Sequence, residues 1–291
     1  MNRKLTEELK DYARSIGIDL LGIAPIERFE GLPPERHPGS VFPEAKSVIV
    51  VGKRIVRGAL RGTEEGTQFQ SYNMYGYHWL EDRFLSVTTF KLTEFLEDRR
   101  HEAVPIMNLP KEVPPMGIPV RSGQPAPNVM IDFDDTAVRA GLGEIGYLGI
   151  FLSPEFGPRQ RFYIILTDAV LEPTPICEKK ICERSPDYAK FCPLGAVDPS
   201  REETMSVCGK KMKVASIDYA KCAKCRNGAV PNHRYPGARP DRIAALCVRS
   251  FMNHLEKGGR LANKFEHPFR RRPAWLLVED KAVLQEGHDI E

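Results

Sequence analysis

The chain has 291 residues, 42% hydrophobic and 28% charged, a balance that excludes a disordered, collagenous or coiled-coil protein and allows about two domains. Lys and Arg exceed Asp and Glu by only 42 to 39, so net charge alone names no partner. The longest apolar runs, 47–52 and 162–166, fall far short of the roughly 18 residues of a membrane span, and the N-terminal MNRKLTEE has no apolar signal-peptide core. A cytoplasmic protein without membrane contact is expected.

Leu5, Leu9, Tyr12 and Ala13 recur at helical spacing, predicting an amphipathic first helix that stops at Gly17. Residues 19–24 read as strand-like. After the Pro/Gly-rich loop 31–43, the β-branched run 47–52 reads as a buried strand. From Tyr77 to Arg99, Leu80, Phe84, Val87, Leu92, Phe95 and Leu96 are interleaved with charges at helical period, predicting the longest helix. Residues 103–107 suggest a further strand, and seven prolines from Pro105 to Pro127 make the stretch to Asn128 a long loop of the kind that lines binding sites. Residues 128–133 read as extended, 134–140 as a short helix and 161–167 as a strand. Beyond Pro173 strands are expected to give way to cysteines, turns and short helices. The chain then divides into 1–173, 174–262 and a tail, 263–291, whose Arg270, Arg271, Arg272 and Trp275 suit packing across another domain or subunit.

All seven cysteines, Cys177, Cys182, Cys192, Cys208, Cys222, Cys225 and Cys247, fall within 71 residues. In a reducing compartment they are expected to be free or metal-bound rather than paired. Soft thiolates hold iron–sulfur clusters, copper(I) or zinc, and Cys192-Pro193 matches the end of a bacterial ferredoxin run, whose last cysteine ligates the other cluster. By that crossover logic Cys192 joins Cys208, Cys222 and Cys225 around one [4Fe–4S] cluster, leaving Cys177, Cys182 and Cys247 as three ligands of a second. One cluster is preferred to two, since three cysteines leave the second one ligand short, and the strict ferredoxin spacing Cys-x2-Cys-x2-Cys-x3-Cys-Pro is not met. A four-cysteine zinc site and plain buried thiols are the competing explanations. Residues 205–272 carry 16 Lys plus Arg against four acids, which offsets thiolate charge or, alternatively, offers a docking face to an acidic redox partner.

Gly141-Leu142-Gly143-Glu144-Ile145-Gly146 matches the dinucleotide fingerprint, but a helical segment rather than a strand precedes it, so a Rossmann site is not expected. Tyr72 and Tyr75, in a patch with Tyr77 and His78, are candidate proton donors, with aromatic packing as the competing explanation. Asp134 is a candidate acid, although capping by Asp132 or Asp134 accounts for the same residues. Glu144, between glycines, is the more unusual carboxylate. Arg139, Arg159 and Arg161 are candidates for phosphate or carboxylate binding, whereas solitary His233, His254 and His267 are read as structural.

The glycine segment, followed by Ser153-Pro154-Glu155-Phe156-Gly157-Pro158-Arg159, Arg161-Phe162, Thr167-Asp168-Ala169 and Leu171-Glu172-Pro173 ahead of the cysteines, resembles the epoxyqueuosine reductase and reductive dehalogenase superfamily. The resemblance spans about 47–256. It implies an α+β chain in which a nitroreductase-like α/β sandwich domain is followed by a ferredoxin-like iron–sulfur domain. It further implies a reductase that passes electrons from [4Fe–4S] to a corrinoid (cobalamin) and on to an organic substrate. Flavin is the less favoured cofactor. Gly141, Gly143, Gly146 and Arg159 would then contact the cofactor, and Cys192, Cys208, Cys222 and Cys225 would hold a cluster. Ferredoxin or flavodoxin is the implied electron donor and a small molecule the substrate, with tRNA less favoured. A non-catalytic electron-transfer or corrinoid-handling protein is the alternative, and a zinc-stabilised binding protein the second. The chain departs from the family in having seven rather than eight cysteines, and it ends without the helical-repeat tail of the tRNA-modifying enzymes.

Overall fold

The computed structural model describes residues 2–270 and the backbone of residues 277–278 and 281–282. Most of the expected tail, including Arg271, Arg272 and Trp275, lies outside the described residues. The chain forms two compact units built from non-contiguous segments. Met1–Arg54, Leu80–Gly143 and Gln160–Glu178 make the first; Ile55–Trp79, Glu144–Arg159 and the chain from Lys179 onward make the second. Two stretches that precede the sequence boundary at 173 therefore cluster with the cysteine-rich part.

In the first unit, helix α1 (Arg3–Ser15) buries Leu5, Leu9 and Ala13, the residues that set its period. Asn2 caps it by accepting the Leu5 N–H at 3.1 Å, and Gly17 ends it at φ 83°. The strands β1 (Leu20–Pro25), β2 (Ser47–Arg54), β3 (Ala103–Ile106) and β4 (Gln160–Thr167) form one antiparallel sheet in the order β1-β2-β4-β3. Ile49 lies opposite Ile23 on one side and Ile165 on the other. Val48, Ile49, Val50 and Val51 are all fully buried, and each such side chain contributes about 1.5–3 kcal/mol to folding. Helix α2 (Ser86–Glu97) buries Leu92, Phe95 and Leu96, and Phe95 stacks on Tyr12 of α1 with ring centroids 4.9 Å apart. The helical stretch begins earlier than expected, at Gln70, and runs in wide π turns through Asn73–His78 and Leu80–Leu85. Residues 128–133 do not form a strand, because Asn128 takes a left-handed φ of 74° that breaks extended backbone. Helix α3 (Phe133–Arg139) then starts at an Asp132 cap, which accepts the Asp135 N–H at 3.0 Å. An antiparallel sheet, with a helix ahead of the glycine segment, rules out the dinucleotide fold, as expected.

The second unit corrects the expectation that strands end at Pro173. Its largest element is a hairpin of β5 (Val197–Val207) and β6 (Lys210–Ile217), joined by Cys208 and Gly209 at φ 47° and 80°. Two left-handed residues in a two-residue loop match the right-handed twist of the paired strands. The strand signal was hidden by charge: Arg201, Glu202 and Glu203 are exposed, and only scattered residues such as Val197, Val207, Met212 and Ala215 turn inward. Val197 and Ala215 join a core of Tyr147, Leu148, Leu152, Ile181, Tyr188, Phe251, Leu255 and Leu261. Helix α4 (Tyr219–Ala223) is capped by Asp218, which accepts the N–H groups of Ala220 and Lys221 at 3.0 and 3.1 Å. Helix α5 (Leu246–Lys257) buries Val248, Phe251, Met252 and Leu255. The chain is thus a mixed α and β protein with antiparallel sheets.

Candidate metal centre

Four of the seven thiols line one cavity of the second unit: Cys192, Cys222, Cys225 and Cys247. Each arrives on a different kind of local structure. Cys192 ends a 3-10 turn over Pro186–Phe191, and Pro193 prevents that turn from continuing. The Cys192-Pro193-Leu194-Gly195 segment folds back so that the Gly195 N–H reaches the Cys192 carbonyl at 3.1 Å and the Ala196 N–H donates to Cys192 Sγ at 3.2 Å. Cys222 lies in α4 and Cys225 just past it, with the Cys225 N–H on the Cys222 carbonyl at 3.0 Å. Cys247 sits in the first turn of α5, whose start is tied down by the Leu246 N–H on the Asn227 carbonyl at 2.9 Å.

The rest of the wall is apolar, formed by Pro193, Leu194, Ala196, Ala229, Ala245 and Leu246, with one exception. Arg242 also lines the cavity and is 6% exposed. Its Nη2 donates to the Leu148 carbonyl at 2.8 Å, while its Nη1 is buried and has no hydrogen-bond partner among the described residues. Burial pushes the Cys222, Cys225 and Cys247 thiols up, Cys247 to about 12. Arg242 opposes the rise at Cys222 and Cys247, and neighbouring sulfurs add to it at Cys222, Cys225 and Cys247. Without a cation to receive them, these groups stay protonated thiols. A metal centre that takes all four as thiolates removes the mutual repulsion.

The placement of the other cysteines corrects the expected grouping. Cys208 is exposed at the tip of the hairpin, carried away from Cys192 by the whole of β5, and Cys247 takes its place because α5 returns the chain to the cavity. Cys182 is buried in the core beside Tyr188 and Phe251, where its Sγ accepts the Tyr147 N–H at 3.4 Å. Cys177 is half-buried, at the end of a first-unit segment. Among the described residues no three His, Cys, Asp or Glu side chains are grouped so as to hold a single metal ion.

The four candidate catalytic residues lie at separate points. Tyr72 is buried and its hydroxyl donates to Asp241, whereas Tyr75 is 48% exposed and edges against Trp79. Asp134 is half-buried in the first turn of α3. Glu144 is buried and fully engaged: one oxygen accepts the Ile181 and Cys182 N–H groups at 2.8 and 2.6 Å, and the other pairs with Lys210 at 3.2 Å. It holds the loop that carries Cys182.

The glycines and arginines assigned to a cofactor are likewise committed to packing. Gly141 stands at φ 77°, and a Cβ there would meet the Pro175 carbonyl oxygen at 2.1 Å; one on Gly146 would meet Leu152 at 2.7 Å. Gly143 is buried. Arg159, 1% exposed, donates to the Ile55 carbonyl at 3.0 Å and to Asn263 at 2.8 Å. Arg139 pairs with Asp135 at 2.5 Å and Arg161 with Glu81 at 3.7 Å. Arg242, which sequence reasoning did not single out, carries no local signal beyond lying five residues before a cysteine.

No protein-family model matches the sequence, and no curated protein does. Solved structures do match. The chain is similar to an epoxyqueuosine reductase determined with an epoxyqueuosine-modified tRNA-Tyr stem loop, at a TM-score of 0.50 and 16% identity over 89% of this chain and 76% of that one. It also matches the epoxyqueuosine reductase of Bacillus subtilis, with a TM-score of 0.49, 17% identity and coverage of 89% and 77%. A reductive dehalogenase studied for B12-dependent dehalogenation gives 0.47 at 18% identity, over 83% of this chain but only 31% of the dehalogenase. At 16% identity and a TM-score of 0.50, what the chain shares with that epoxyqueuosine reductase is the fold alone.

Proposed function

We propose that the chain is an iron–sulfur oxidoreductase that holds one [4Fe–4S] cluster on Cys192, Cys222, Cys225 and Cys247 and delivers electrons to an organic substrate. One observation carries this reading: four thiols from three segments share an apolar cavity with a buried arginine whose Nη1 lacks a partner. When bound, the cluster supplies one-electron transfer at low potential. The residues do the rest. The Cys192-Pro193-Leu194-Gly195 turn and the two helices hold the sulfurs apart around the cavity, and the apolar wall keeps water from them. Arg242 offsets the negative charge that thiolates and inorganic sulfide bring into that wall.

The finer reading is a nitroreductase-like domain that binds a corrinoid beside a ferredoxin-like domain, as the family likeness implies. Gly141, Gly146 and Arg159 do not fit that cofactor, since packing already occupies them. Tyr72 and Glu144 are engaged in hydrogen bonds within the second unit, which favours a second reading, an electron-transfer protein without its own substrate. A zinc-stabilised binding protein, with zinc on the same four thiols, is the third reading.

The test is anaerobic purification with iron, sulfide, zinc, cobalt and flavin analysis and a visible spectrum. About four iron and four sulfide per chain, with a brown absorbance that dithionite bleaches, is expected. Stoichiometric zinc without iron, even after iron–sulfide reconstitution, would overturn the proposal. Cobalt at one per chain supports the corrinoid reading, and iron alone supports the electron-transfer one. Turnover assays with a modified tRNA stem loop and with small organic acceptors, driven by reduced ferredoxin or flavodoxin, then separate the substrate classes.

A further inference from the structure

We infer that Arg242 is a positioning residue for the cluster, a buried guanidinium that donates to a cluster or ligand sulfur and favours the reduced state. The inference rests on the cluster proposed above. Arg242 is the one charged side chain among the described residues lining the cavity. It is held there from two sides.

Nη2 is spent on the Leu148 carbonyl at 2.8 Å, which fixes the plane of the guanidinium and leaves Nη1 buried without a partner. A buried donor left unsatisfied costs on the order of 1–3 kcal/mol, so its retention in an otherwise apolar wall calls for an acceptor that the protein itself does not provide. The carboxylate next to it in sequence is not that acceptor. Asp241 receives the Tyr72 hydroxyl on one oxygen and the Ile243 N–H, at 3.2 Å, on the other. Its backbone is locked to Val230 by a pair of hydrogen bonds of 2.8 and 2.9 Å. The Tyr72 hydroxyl thus holds the Asp241 carboxylate, and with it the segment of backbone that carries Arg242.

Arg249, on α5 two residues beyond Cys247, is a second buried cation near the same thiols. Its Nε is taken by the Ala244 carbonyl at 2.8 Å, and its charge is opposed first by the carboxylate of Glu64 and then by Cys247 and Cys225. Arg242 differs in that it lines the cavity itself, with its guanidinium 5.2 Å from the centroid of the Tyr219 ring. Reducing an iron–sulfur cluster adds one negative charge, and hydrogen bonds to sulfur together with local charge are what set cluster potentials. A fixed guanidinium at the cavity wall stabilises the reduced form more than the oxidised one, and so raises the midpoint potential.

Arg242→Gln and Arg242→Lys, each reconstituted anaerobically, test this by iron and sulfide content, electron paramagnetic resonance of the reduced cluster, and a mediated redox titration. The expected result is full iron with a midpoint shifted to more negative potential in R242Q and largely restored in R242K. R242Q with full iron and an unchanged midpoint would overturn the inference. Should R242Q lose its iron, R242K decides: iron retained near the wild-type midpoint supports the electrostatic role. Iron lost in both variants assigns Arg242 to anchoring Leu148 alone and overturns it. A wild-type protein that takes up no iron would instead sink the cluster proposal, which keeps the two failures distinct.

Discussion

The two units bury different chemistry. The first is closed by a sheet whose central strand, Val48 to Val51, is aliphatic on both faces, and its buried charges, Glu81 and Arg139, are each paired within the unit. The second buries arginines, carboxylates and thiols: Arg57, 10% exposed at its side chain, pairs with the fully buried Glu64, and Arg159, Arg242 and Arg249 are all below 9% exposed. Buried charges are held only by partners, and on the proposed ligand set the free energy of cluster binding to the four cavity thiols is also folding free energy. The contrast to test is therefore that the first unit's integrity is independent of the proposed cluster and the second's is not.

The largest effect that would break this contrast is the paired change Cys222→Ser and Cys225→Ser. It should abolish bound iron and lower the melting temperature of the second unit's transition while leaving the first unit's in place, as read by calorimetry alongside iron analysis. A single cooperative shift of the whole chain would refute the division. Next comes Glu144→Ala, which strands Lys210 and two N–H groups. Removing one partner of a buried ion pair costs about 3–5 kcal/mol, so chemical denaturation should show the second unit falling first. Ile49→Ala sharpens the other side: it should cost roughly 2–5 kcal/mol in the first unit with iron content unchanged. The smallest effect is expected for Cys208→Ser. An exposed residue at a hairpin tip should move stability by under about 0.5 kcal/mol and leave iron at its wild-type level, whereas loss of iron would return Cys208 to the ligand set.

The same contrast governs what was legible in the sequence. Aliphatic runs and helical spacing read out β2, β4 and α1 directly, because each of those elements buries a periodic face. The cysteine-rich half gave its chemistry away by residue type but not its arrangement. Cys208 lies nearer to Cys192 in sequence than Cys247 does, yet the hairpin takes one away and α5 brings the other back. That hairpin was itself illegible, since Arg201, Glu202 and Glu203 mask the strand period and its turn uses Cys-Gly where Asn-Gly would have announced it. Glycines at 141 and 146 read as a cofactor loop because close approach of backbone to ligand and of backbone to backbone demand the same residue. Arg242 was invisible for a different reason: an orphaned donor is defined by what surrounds it.

The interleaving of the units has a consequence for how the molecule can be made. Because Ile55–Trp79 and Glu144–Arg159 belong with the later part of the chain, these stretches leave the ribosome well before their partners exist. They must wait unpacked until α5 has been synthesised. A gene cut at codon 173 would yield two fragments, one carrying orphaned apolar segments and the other lacking part of its own core. The protein is therefore a poor candidate for expression in halves, and on the proposed ligand set iron delivery to the nascent polypeptide has to follow translation of Cys247.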